Sequence, residues 1–234
     1  MQNNENDNIG EKINDFIKNH RKAIFITIGI LLLLFIGLIA YLSINDAINK
    51  KATAEIDELY GRYDELTLIN DEDFYTEDLD HLLADLKTFA EKNKGFAGSK
   101  AWSIIGQIYS GRKDWNLAQD AWLSAAKIGN NTYLAPLALF NAAAAAEEQG
   151  NLEQAIDLLK QCIAHKFEFP AAPRAQFSIG RLYETLGDSA AAIEAYRDVL
   201  IKWPEMPVWQ NLARSRLAVL GEGNEFIYKT FEEK

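Results

Sequence analysis

Apolar and polar positions change rhythm three times along this chain. Residues 23–44 are uncharged and almost wholly apolar, and they include the unbroken run Ile30-Leu31-Leu32-Leu33-Leu34-Phe35-Ile36. Residues 47–68 then place Ile56, Leu59, Tyr60, Tyr63 and Leu66 at helical spacing, and residues 77–92 do the same with Leu79, Leu82, Leu83, Leu86 and Phe89. Beyond residue 98 the pattern recurs at a step of 37 residues: Trp102, Leu139 and Gln176; Gly106, Ala143 and Gly180; Ala118, Ala155 and Ala192; Trp122, Leu159 and Tyr196. The polar corner Asp114, Asn151 and Asp188 keeps the same step, as do Pro136 and Pro173. A period of this size predicts stacked supersecondary units.

One unit explains the residue types. In Trp102-Ser103-Ile104-Ile105-Gly106-Gln107-Ile108-Tyr109 the bulky positions follow one helical face, and Gly106 sits where two helices approach closely only if a side chain is absent. Polar, turn-forming residues follow from Gly111 to Asp114, and a second amphipathic run carries Ala118, Trp122 and Ala125. The next units turn at Gly150-Asn151 and Gly187-Asp188. Pro136 and Pro173 suit a first helical turn, where no N–H is needed. Each unit is thus a predicted helix hairpin that buries its apolar face only against neighbours, and such stacks make binding surfaces. Strand signals are absent.

These residues resemble the tetratricopeptide repeat. The first unit supplies Trp102, Ile105, Gly106, Tyr109, Ala118, Trp122 and Ala125. The third supplies Ile179, Gly180, Tyr183, Ala192, Tyr196, Val199 and Pro204, with Gln176 in place of tryptophan. The second is looser, with Leu139, Ala142, Ala143, Ala155, Leu159 and Cys162. The step exceeds the family's 34 residues by three, an excess assigned to the loops before Pro136 and Pro173. From Gly187 to Gly221 the step returns to 34, which predicts a capping helix over 207–220. The expected fold is all-α: a transmembrane helix followed by a tetratricopeptide-type solenoid. Its expected segments are a cytoplasmic tail (1–22), an anchor (23–44), a linker helix with a degenerate capping hairpin (45–97), the repeats with their capping helix (98–221) and a tail (222–234).

The apolar run has the length of a membrane anchor, since about 22 residues at 1.5 Å each span roughly 33 Å. It is longer than a signal-peptide core, and Ala40-Tyr41-Leu42-Ser43 makes a poor cleavage site. Lys12, Lys18, Arg21 and Lys22 precede it, whereas only Lys50 and Lys51 follow closely, so the positive-inside rule predicts a cytoplasmic N-terminus and an exported C-terminal domain. The first 22 residues balance four acids against four bases, so the formal charge of −10 belongs to the remainder. Such a domain is repelled by nucleic acid and anionic headgroups.

Candidate chemistry is sparse. His20, His81 and His165 lie far apart without companions at metal-ligand spacing, and phosphate-loop, dinucleotide and nucleophile-elbow motifs are missing. Residues 70–76 read as a solvated acidic loop rather than a calcium loop, with Thr76 capping the helix expected from residue 77. Cys162 occupies a core position and is expected to be inert. The chain is therefore expected not to be an enzyme, and to use no cofactor, metal or small-molecule substrate.

The resemblance implies that the first helix of each unit lines a concave partner groove. Its positions are Lys100, Ser103 and Gln107 in the first unit, and Leu137, Phe140, Asn141 and Ala144 in the second. The third unit contributes Arg174, Phe177, Arg181 and Glu184. Two readings of the phenylalanines stand at this point: packing between neighbouring helices, or an apolar groove edged by Arg174 and Arg181 that receives a segment of another protein. A carboxylate clamp matches at Asn141 and Arg174 but has Ser103 where it needs lysine.

A short charged tail, one span and an acidic repeat domain resemble the ancillary subunit of the bacterial SecYEG translocon. That likeness implies a single-pass protein of the bacterial inner membrane with a periplasmic domain. Its partners would be translocon subunits, periplasmic chaperones or exported clients. A tethered scaffold for envelope assembly or cell division, and an accessory subunit of a membrane enzyme, are the alternatives.

Overall fold

The computed structural model describes residues 3–68 and 72–222, and the regular structure of these residues is helical throughout. In chain order the helices are α1 (Asn3–Thr67), α2 (Glu72–Lys92), α3 (Gly95–Gly111), α4 (Trp115–Ile128), α5 (Leu134–Glu148), α6 (Leu152–Ile163), α7 (Ala172–Thr185), α8 (Ser189–Lys202) and α9 (Pro207–Val219). The chain divides into two units, Met1–Lys51 and Ala52–Lys234.

In the first unit α1 is apolar on every side across residues 23–44, and its large side chains from Phe25 to Ile44 are uncovered: Leu33 is 70% exposed and Phe35 62%. It is the one helix among the described residues long and apolar enough to cross a membrane.

The second unit is a stack of helix pairs. The stripe predicted for residues 47–68 buries Ile56, Leu59 and Leu66, leaves Tyr63 partly covered and turns Tyr60 outward. Leu79, Leu82, Leu83, Leu86 and Phe89 of α2 join that core. Arg62 reaches Asp85 at 2.8 Å and Arg112 reaches Asp80 at 2.7 Å. α2 begins at Glu72, not at residue 77, so Thr76 lies inside the helix and cannot cap it. An acidic stretch of sequence suits the first turn of a helix as well as it suits a loop. Of the expected loop, residues 70 and 71 lie outside the described residues, as do 223–234 of the expected C-terminal tail.

The hairpins α3–α4, α5–α6 and α7–α8 carry the period. Ala118, Ala155 and Ala192 are fully buried where the two helices of each hairpin meet. The hairpin turns repeat to the atom. The N–H groups of Asp114, Asn151 and Asp188 donate to the carbonyls of Tyr109, Ala146 and Tyr183, each at 2.9 Å. The residue before each is left-handed: Lys113 at φ 62°, Gly150 at 79°, Gly187 at 78°. This is the Schellman arrangement, which satisfies carbonyls orphaned at a helix end. α9 ends in the same way, with Gly221 at φ 89° and the Glu222 N–H on the Leu217 carbonyl at 2.9 Å.

The small position of each first helix faces an aromatic ring in the first and third hairpins. A Cβ on Gly106 would lie 2.6 Å from Nε1 of Trp122, and one on Gly180 would lie 2.6 Å from Cε1 of Tyr196. The sequence pattern suggests Ala192 as the neighbour of Gly180; the atoms nearest its missing Cβ belong instead to Tyr196, one helical turn further on.

Candidate partner-binding face

The first helices α3, α5 and α7 place the predicted groove residues in four distinct situations. Gln107, Leu137, Ala144 and Arg174 are exposed, and Leu137 keeps 44% of its surface accessible. Arg174 makes no ion pair among the described residues. Its guanidinium stands 5.2 Å from the centroid of Phe140, a cation–π distance that holds the cation at the surface. Ser103 and Asn141 are half-buried, and the Ser103 hydroxyl donates to the carbonyl of Ser99 at 2.9 Å, four residues back in its own helix.

The phenylalanines are packed. Phe140 lies against Phe169, with ring centroids 5.5 Å apart. Phe177 is held between Tyr196 at 5.1 Å and Trp209 at 5.8 Å, which joins α7 to α8 and α9. Both keep only part of their surface accessible.

Three charged positions are engaged within the protein. Lys100 contacts Asp57 of α1 at 2.6 Å, and its ammonium lies 4.7 Å from the centroid of Tyr60. Arg181 forms a two-pronged pair with Glu147 of α5 at 2.6 and 2.7 Å, so it ties adjacent first helices together rather than edging an open groove. Glu184 accepts from Nε of Arg216 at 3.0 Å, from a second Arg216 nitrogen and from the Tyr196 hydroxyl. Those hydrogen bonds, Arg216 first, hold the Glu184 carboxyl below the usual range against the opposing effect of partial burial. Arg216 is raised chiefly by its bond to Glu184. Tyr196 is raised by burial first and then by donating to Glu184.

The sequence offers no local signal for these partners. Glu147 and Arg181 are 34 residues apart, and Glu184 and Arg216 are 32 apart. Phe169, Trp209 and Arg216 escape a reading of the period because they belong to a loop and to the last helix, outside the repeated positions. Cys162, fully buried, donates to the Pro136 carbonyl at 3.1 Å, and burial pushes its thiol up to about 12, where little thiolate forms.

Comparison with known proteins follows the same residues. Two models of the tetratricopeptide repeat match, one at residues 137–165 and one at 163–207. A TPR repeat-containing protein of Treponema pallidum (strain Nichols) is 37% identical over 146 residues, which is 62% of this chain and 60% of that relative. The chain thus spans less than two thirds of the relative it matches. Among solved structures, a Podosopora anserina putative kinesin light chain array of nearly identical TPR-like repeats superposes with a TM-score of 0.52. That match has 14% identity and covers 76% of this chain and 92% of the array. A single-residue variant of the same array gives 0.52 at 13% identity, covering 76% and 91%. These structures share the fold. Stacked helix pairs, repeated Schellman turns and the matched segments make residues 137–207 tetratricopeptide repeats, in an all-α chain whose helix pairs are preceded in sequence by one long apolar helix.

Proposed function

We propose that the protein is a membrane-tethered adaptor that binds protein segments at the extracytoplasmic face of a bacterial inner membrane, and that it acts by binding rather than catalysis. The observation that carries this reading is the pairing, in one chain, of an uncovered apolar helix with repeats whose first helices expose Leu137, Ala144 and Arg174. Arg174 orients a bound segment, and Leu137 and Ala144 supply apolar contact. The excess of lysine and arginine before residue 23 supports a cytoplasmic N-terminus. The partners fitting this placement are translocon subunits, periplasmic chaperones or exported clients.

The test is photo-crosslinking from position 137 in intact membranes, combined with protease treatment of spheroplasts. Translocon subunits or exported precursors as products, with digestion of the repeats before lysis, are the expected outcome. Protection of the repeats until lysis overturns the orientation. Products limited to division or cell-wall proteins, or to one membrane enzyme, overturn the client assignment.

A further inference from the structure

We propose a second binding site, lined by residues other than those of the first-helix face, that takes an acidic peptide segment anchored by an apolar side chain. It is a groove of about 570 Å³ between α4, α5 and α6. Its apolar floor is Leu123, Ala126, Ala135 and Leu139, and its rim carries Lys127 and Lys166. The lining contains no carboxylate. His165, also in the lining, is shifted downward by burial and by the neighbouring Lys166 charge. It is therefore neutral near pH 7, and its ring is held within the protein, Nδ1 accepting from the Phe167 N–H at 3.2 Å and Nε2 lying 3.3 Å from Oδ1 of Asn130.

The repeat supplies an internal comparison. One unit on, the equivalent groove of about 670 Å³ is lined by Lys160, Arg197 and Lys202, but also by Glu194 and Asp198. Lys202 pairs there with Asp198 at 2.7 Å, and Arg197 pairs with Glu222. The later groove thus pairs two of its three cations with carboxylates, while Lys160 donates to the Tyr183 hydroxyl at 2.9 Å. In the earlier one Lys127 makes no ion pair among the described residues, and Lys166 donates to the neutral amide of Asn131. A cationic rim over an apolar floor is complementary to carboxylates flanking an aliphatic side chain. The chain's overall charge of −10 does not cancel this, because ionic screening confines such fields to about 8 Å at physiological salt.

The leading position of the repeat lines the groove through Leu139. Trp102 fills the leading position of the first unit, whereas the second has Leu139, a smaller side chain at the same place. Leu139→Trp should therefore fill the floor without altering charge.

The experiment titrates a fluorescein-labelled peptide of alternating glutamate and leucine with the full chain in zwitterionic lipid nanodiscs, using empty nanodiscs as the blank. Anisotropy should show saturable binding, weakened about tenfold by Lys127→Glu, by Lys166→Glu and by Leu139→Trp, and changed less than about twofold by Lys202→Glu in the equivalent groove. Lys127→Gln, a surface change with the same expected direction, serves if the reversal variant fails to fold. Equal binding of the glutamine-for-glutamate peptide, or indifference to all these variants, overturns the site. Loss on Arg174→Glu with no effect of Leu139→Trp places the peptide on the first-helix face and overturns it too. No saturable binding overturns it outright.

Discussion

Gly180 and Tyr196 fit as a socket and its ring: the Cβ that Gly180 lacks would sit 2.6 Å from Cε1 of the tyrosine, far inside van der Waals contact. Gly106 and Trp122 repeat the fit in the first hairpin. The second hairpin holds Ala143 and Leu159 at the same two positions, so a slightly larger small residue is matched by a smaller large one. Volume is conserved at this contact while the residue types change, as close packing demands.

Gly180→Ala should therefore destabilise by about 1–3 kcal/mol through overpacking. The cost should shrink in a Tyr196→Leu background, which recreates the second hairpin's combination, and the difference is a coupling energy. Ala190→Ser, on the exposed first turn of α8, should stay within about 0.5 kcal/mol. Urea midpoints decide: no coupling between positions 180 and 196 would mean that the contact does not close the hairpin.

Lys113 is the one non-glycine among the four left-handed turn positions. A side chain with a Cβ is strained there by roughly 1–2 kcal/mol. Lys113→Gly should raise stability by up to about 1 kcal/mol, the strain relief being partly offset by the greater freedom glycine has when unfolded. A lowered thermal midpoint for this variant would contradict the geometry.

The Glu184–Arg216–Tyr196 network predicts a pH dependence. The folded state holds Glu184 below its unfolded pKa, so the unfolded chain binds the proton more tightly and stability rises with pH through the carboxylate range. The contribution is complete above the unfolded value of about 4.3 and is lost as pH falls through the folded one. Tyr196 is shifted upward, so its contribution is present below about pH 10 and is lost above it. Arg216 stays charged throughout. With the Arg216 side chain 41% exposed, Glu184→Gln should cost only about 1 kcal/mol at pH 7. Its stability should then be flatter between about pH 5 and 3 than that of the unaltered protein. Parallel pH profiles for the two would remove Glu184 from the network.

Phe140→Ala and Phe177→Ala separate packing from partner contact. Phe177 bridges two helices through Tyr196 and Trp209, so its truncation should lower the unfolding midpoint by the equivalent of about 3–5 kcal/mol. Phe140, packed on Phe169 beneath Arg174, should cost less because one side of its ring is open to the guanidinium. Partner capture lost with an unchanged midpoint in either variant would return that ring to the groove.

The repeat was legible in the sequence because each hairpin obeys local rules. Helical spacing sets the apolar stripe, alanine marks the tight helix contact, and a left-handed residue with a polar successor closes the turn. These recur at Ala118, Ala155 and Ala192 and at Gly150 and Gly187, and no knowledge of distant contacts is needed to see them, whereas the left-handed backbone of Lys113 shows only in the structure. The all-α fold and the single long apolar helix follow from the same local physics. Which residue meets which across the stack was decided only in three dimensions. The atoms nearest the missing Cβ of Gly180 are those of the Tyr196 ring, because the relative rise of two packed helices depends on how all their side chains interlock. Arg181 and Glu184 looked like free groove charges, yet each found an opposite charge more than 30 residues away, brought close by stacking. A charge's availability to a partner depends on neighbours that periodicity does not name. That is why the candidate face narrows to Leu137, Ala144, Arg174 and Gln107 only once the helices are assembled.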